Sequence, residues 1–198
     1  MQLYTKRGDY GNTNLIGQRT IPKDNIRVET YGTLDELNSL IGVIVSQMDE
    51  EDNRLKSELI DLQHLLFDCG TDLATFDGER PYKVKKEAVE WIEEQIDVYA
   101  EEPPIIEKFV IPGGHPVASL LHLARTVTRR AEHLIVTLNR EEKINTVVAI
   151  FVNRLSDYLF ALARIVNHRK GVAEPLYERG GKVFHPELKK EQLPKTHY

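Results

Sequence analysis

The chain has 198 residues, of which 41% are hydrophobic and 29% charged, and its formal net charge is −5. That balance suits one globular domain with a sizeable core and provides no global basic field for nucleic acid, so any anion site must be built locally. Cys69 is the only cysteine, which excludes an intramolecular disulfide, and no apolar run has the length of a signal peptide or membrane span, so the expected location is the cytoplasm with no membrane partner.

Residues 1–32 read as a loop-like arm. Gly8, Gly11, Gly17 and Pro22 interrupt any period, and Ile26, Val28 and Tyr31 alternate as in a short extended piece. A first helix is expected from Thr33, where Thr33-Leu34-Asp35-Glu36 fits a capping box, and Leu37, Leu40, Ile41 and Ile44 form its apolar face. The second runs from Asn53 to Leu73, with Leu55, Leu59, Leu62, Leu66 and Cys69 at alternating steps of four and three, the seam of a packed bundle. The third follows Pro81 and ends at Pro103-Pro104. Phe109-Val110-Ile111 then form a short extended apolar piece before the turn Pro112-Gly113-Gly114. Pro116 suits the first turn of a fourth helix, Asn145 the cap of a fifth, and Gly171 its stop. The tail from Val172 mixes proline, glycine and charge and reads as loop or disorder. These elements predict an all-α, five-helix up-down bundle. The expected organisation is one domain over 1–198: arm 1–32, bundle 33–170 and tail 171–198.

Three clusters carry candidate chemistry. In Thr5-Lys6-Arg7-Gly8-Asp9-Tyr10-Gly11-Asn12-Thr13, two glycines let the backbone approach a ligand, while hydroxyls and cations surround them. This suits a polyphosphate, although it lacks the Walker pattern, and it is also what a polar arm with turn glycines would look like. Lys23 could add a phosphate contact. On the fourth helix Arg125 and Arg129 lie four apart, followed by Arg130, Glu132 and His133, so two guanidinium forks share one face. That face reads either as a phosphate site or as a solvated stripe. Asn153 interrupts the apolar run of the fifth helix beside Arg154 and Asp157, and is either a satisfied core amide or a ligand contact. No paired Glu-x-x-His motif supports a di-iron site.

Taken together, Tyr4–Gly11, Pro22-Lys23-Asp24, Tyr31–Leu37, Phe109–Gly114, Ala124–Glu132 and Phe151–Asp157 resemble, in order, the ATP:cob(I)alamin adenosyltransferases of the propanediol-utilisation type, related to the human mitochondrial enzyme. The resemblance implies a homotrimer with active sites between subunits. It implies transfer of the 5′-deoxyadenosyl group of ATP to cob(I)alamin, which gives adenosylcobalamin and triphosphate. It also implies a catalytic set of Arg129, Phe109, Asp35 and Arg125. ATP would be held by Thr5, Lys6, Arg7, Gly8, Thr13, Asn14, Lys23, Arg129, Arg130, Glu132, His133 and Asn153. No dedicated metal ligand is assigned: Mg²⁺ is expected mainly on the ATP phosphates, with Glu132 the candidate protein ligand. A flavoprotein reductase and a cobalamin-dependent enzyme are the implied further partners. His133 departs from the pattern, standing where many relatives have arginine.

Overall fold

A computed structural model describes residues 2–17 and 19–184. A small antiparallel hairpin, β1 (Asn12–Asn14) and β2 (Thr20–Pro22), precedes five helices: α1 (Ile26–Gln47), α2 (Asn53–Leu73), α3 (Lys86–Glu101), α4 (Pro116–Glu141) and α5 (Thr146–Arg169). Helix α4 packs on both α1 and α5, with α2 against α1 and α3 against α5. Their inner side chains form one buried core. Helix α5 is long and apolar enough to cross a membrane by length and composition, but more than half of its apolar window is buried in this core.

The periodic helices lie where the sequence predicts them. Pro116 opens α4, and the Asn145 side chain caps α5 by accepting from the Val147 amide at 3.1 Å. Gly171, at φ 64°, ends α5 in the left-handed region that glycine tolerates.

Two expectations are corrected. Helix α1 starts seven residues before Thr33, capped by Asn25, whose Oδ1 accepts from the Arg27 amide at 2.8 Å. Thr33 is mid-helix, its hydroxyl donating to the Glu29 carbonyl at 2.8 Å, and Glu36 pairs with Arg130, so there is no capping box. The first turns of α1 bury Arg27, Thr30 and Thr33, so no apolar period marks them. Arg27 is fully buried because its guanidinium donates to the Leu73 and Thr75 carbonyls, pairs with Glu142 at 2.5 Å and lies 4.5 Å from the Phe76 ring centroid. Second, the arm is not structureless. Its hairpin is closed by the Leu15 amide donating to the Arg19 carbonyl at 2.9 Å, and Leu15 is buried. The tail as far as Phe184 is loop, as expected, and it runs as a strap along residues 107–111. Val110 bridges Leu176, and the amides of Tyr177 and Val183 donate to the carbonyls of Phe109 (2.7 Å) and Glu107 (2.8 Å). Tail residues 185–198 lie outside the described residues.

Candidate active site

In the arm Thr5, Lys6, Arg7, Asn14 and Lys23 are exposed, and Gly8 and Thr13 are half-buried. Lys6 has φ 59°, and the Arg7 amide donates to the Thr5 hydroxyl at 3.5 Å. The Lys23 ammonium lies over Gly8, close enough that a Cβ there would meet Nζ at 3.0 Å, so the glycine makes room for the lysine. Asn14 accepts from the Thr20 hydroxyl at 2.8 Å across the hairpin. Burial raises the phenol of Tyr31 on α1 above its ordinary pKa, and the Thr13 side chain partly offsets the rise.

A cavity of about 440 Å³ lies between α4, α5 and the Phe109–Pro112 segment. One side is aromatic. Phe184 meets Phe109 edge-on at 5.9 Å and stacks on Phe160 at 6.1 Å, and Phe160 touches His122 at 6.0 Å. The other side carries Arg125, Arg129 and Asp157. Desolvation, then the like charge of Arg129, lowers the pKa of Arg125, and Asp157 partly opposes this. Desolvation lifts the Asp157 carboxyl above the ordinary range. Arg154 counters it most, Glu132 adds to the rise, and Arg129 and Arg125 counter it further. A half-buried guanidinium, Arg125, and an exposed one, Arg129, beside one reluctant carboxylate make a place suited to developing negative charge.

One turn along the same two helices the polar residues interlock. Asn153 Nδ2 donates to Glu132 at 2.7 Å, and Arg154 donates to Asn153 Oδ1 at 2.6 Å. Arg130 is tied to Glu36 on α1, and His133 is exposed. The predicted residues therefore fall into two groups within a chain. Phe109, Arg125 and Arg129 line the arginine cavity, with Arg130, Glu132, His133 and Asn153 beside it on the same helices. None of Thr5, Lys6, Arg7, Gly8, Thr13, Asn14 or Lys23 lines that cavity. Asp35 is exposed and lines a different hollow of about 330 Å³ between α1 and α2, with Ile16 of the arm at its edge. The structure thus does not bring Asp35 to Arg125 within one chain.

The Cobalamin adenosyltransferase family profile matches residues 3–166. The chain belongs to that family. Among similar adenosyltransferases, the corrinoid adenosyltransferase of Bacillus subtilis is 50% identical over 186 residues, covering 93% of this chain and 96% of that one. Corrinoid adenosyltransferase MMAB of Mus musculus is 36% identical over 184 residues, 90% of this chain and 78% of the mouse protein. A variant of the PduO-type ATP:corrinoid adenosyltransferase from Lactobacillus reuteri, solved with cobalamin and ATP, superimposes with a TM-score of 0.89 at 48% identity, covering 92% of this chain and all of the other.

In this adenosyltransferase the cavity also contains residues that sequence reasoning did not single out: His122, Ser156, Phe160 and Phe184. His122 precedes Arg125 by three residues, and Phe160 follows Asp157 by three, so helical spacing could have found both. His122 is almost wholly buried, with neither ring nitrogen bonded to another protein group. Burial, then the Arg125 charge, lowers its pKa to about 4, so the ring is neutral at physiological pH. Phe184 had no such signal, because only the folded strap carries it to the cavity.

Proposed function

We propose that this chain transfers the 5′-deoxyadenosyl group of ATP to cob(I)alamin, giving adenosylcobalamin and triphosphate. The observation that carries the reading is the cavity between α4 and α5, aromatic on one side and lined by two arginines on the other. In the reaction cobalt(I) donates an electron pair to the 5′ carbon. The cobalt–carbon bond forms as the carbon–oxygen bond breaks, and the pair from the broken bond leaves with triphosphate. The transfer itself moves no proton, so the chain needs no general base. It needs fixed cations where the leaving group gathers charge, and Arg129 and Lys23 are the candidates. The arm, from Thr5 to Thr13, would hold the triphosphate in line with the cobalt, and Asn14, Arg130, Glu132, His133 and Asn153 would complete the ATP site. Phe109, braced edge-on by Phe184, would press on the lower face of the corrinoid and exclude an axial donor.

Among the described residues no group of three or more His, Cys, Asp or Glu side chains is arranged to hold a metal ion. Mg²⁺ is read as carried mainly by the ATP phosphates, with Glu132 the candidate protein ligand, and when bound it would neutralise charge on triphosphate.

The reading extends to an up-down bundle assembled as a homotrimer, with each site between two subunits. Short links join α1 to α2 and α4 to α5, which favours antiparallel neighbours. The separation of the arm and Asp35 from the arginine cavity supports a shared site, because a neighbouring copy can supply the missing half. Exposed Val43, Phe67, Leu123 and Val136 offer apolar surface for the contact. The working location is read as the cytoplasm, with a flavoprotein reductase supplying cob(I)alamin and a cobalamin-dependent enzyme consuming the product.

The test is direct. The protein is mixed without oxygen with ATP and chemically reduced cobalamin, and the visible spectrum is followed. Appearance of adenosylcobalamin supports the proposal; an unchanged spectrum at full ATP overturns it. Sedimentation equilibrium should give three times the 22.7 kDa chain mass, and a fully active monomer would remove the shared site.

A further inference from the structure

Asn153 is half-buried on α5, and its carboxamide is held at both ends. Its Nδ2 donates to Glu132 on α4 at 2.7 Å, and its Oδ1 accepts from Arg154 at 2.6 Å. Arg154 in turn donates from Nε to Glu93 on α3 at 2.8 Å. Four side chains from three helices thus form one polar chain that ends at Glu132, one turn from Arg129 and the cavity.

The chain has a direction. Turning the Asn153 amide by half a rotation would set its oxygen against the Glu132 carboxylate and its NH₂ against the guanidinium. Two good hydrogen bonds would become an acceptor–acceptor and a donor–donor contact. Arg154 makes this selection because its fork addresses Asn153 and Glu93 together, which a lysine ammonium on a flexible stem does not reproduce. The Arg154–Glu93 pair is about one-third exposed at each side chain (31% and 32%), so its direct contribution to stability is small. Its effect is orientation.

We propose that Arg154 and Glu93 are positioning residues for the nucleotide end of the site, fixing the Asn153 carboxamide and through it the Glu132 carboxylate. The proposal rests on the ATP reading above.

The charge of Arg154 also acts on Asp157, so the informative replacement keeps that charge. Wild type, Arg154→Lys, Glu93→Ala and the double variant are compared with cob(I)alamin saturating and ATP varied, and ATP binding is measured separately without corrinoid. Arg154→Lys should raise the KM and the Kd for ATP about fivefold, and Glu93→Ala about threefold, with kcat within about twofold of wild type. The double variant should be no worse than the more severe single one, because both act through one chain. Unchanged ATP affinity in the single variants, a fall confined to kcat, or multiplicative losses in the double variant would overturn the inference. Glu93→Ala carries the test by itself if Arg154→Lys does not fold. A wild-type protein that forms no adenosylcobalamin would sink the functional reading instead, whereas an active wild type with indifferent variants sinks only the positioning role.

Discussion

Protonating His122 should be one of the costlier titrations in this protein. The ring is 3% exposed, forms one wall of the cavity and neighbours Arg125, with Arg129 and Asp157 also lining the space. Burial first, and the Arg125 charge second, bring its pKa from an ordinary 6.5 down to about 4. Below pH 6.5 the unfolded chain therefore binds a proton that the folded chain refuses until about pH 4. The stability associated with neutral His122 is fully present above 6.5, declines as pH falls through that window, and levels off below about 4. At roughly 1.4 kcal/mol per pKa unit the depression is worth about 3 kcal/mol, and access from the cavity brings the expectation nearer to about 2 kcal/mol. Asp157 opposes this trend. Its raised folded pKa means that the native state takes up a proton before the unfolded state does, which favours folding as pH falls. Wild type must therefore be compared with His122→Phe, which retains a ring beside Phe160 but cannot titrate. Urea denaturation between about pH 7.5 and 4.5 should show wild type losing about 2 kcal/mol more than the variant. Parallel curves for the two proteins would refute the reasoning, whatever their absolute stabilities.

Arg129→Lys keeps the charge but loses the planar fork, so turnover should fall at least about tenfold, equivalent to ~1.4 kcal/mol at the transition state; wild-type kcat would mark Arg129 as a surface charge. Phe109 is 55% exposed, so Phe109→Ala should leave thermal stability nearly unchanged while reducing the four-coordinate cob(II)alamin signal in paramagnetic resonance with ATP present; an unfolded variant or a full signal would make the ring a packing residue. Asp35→Asn and Arg125→Ala should each lower activity and together cost less than their sum, and strict additivity in that cycle would show that the two residues do not meet across copies. Asp72 is 1% exposed and accepts from the Lys83 and Val84 amides and from Asn145, so Asp72→Ala should destabilise the fold by at least ~3 kcal/mol, read as a shift of the urea midpoint; a loss below ~1 kcal/mol would mean that the three donors find other partners.

What the sequence by itself determined is whatever a local repeat can carry. The apolar rows of α2 to α5, the proline that opens α4, the Asn145 cap and the Gly171 stop all act within a turn or two of themselves, so they are legible without a fold. The same holds for site residues that share a helix, such as Arg125 with Arg129 and Asn153 with Asp157, because the helical rise sets their separation. The start of α1 was hidden because its inner positions are Arg27, Thr30 and Thr33. Arg27 is tolerable in the interior only once Leu73, Thr75 and Glu142 arrive from elsewhere to accept from its two terminal nitrogens. The hairpin was hidden because strands of three residues leave almost no alternation to read. Only the tertiary structure decided that the tail straps residues 107–111, carrying Phe184 onto Phe109 and Phe160, and that Asn153 points its amide at Glu132. Those contacts join residues far apart in the chain, and backbone pairing and amide orientation depend on which partners are present in space, which no local pattern of residue types records.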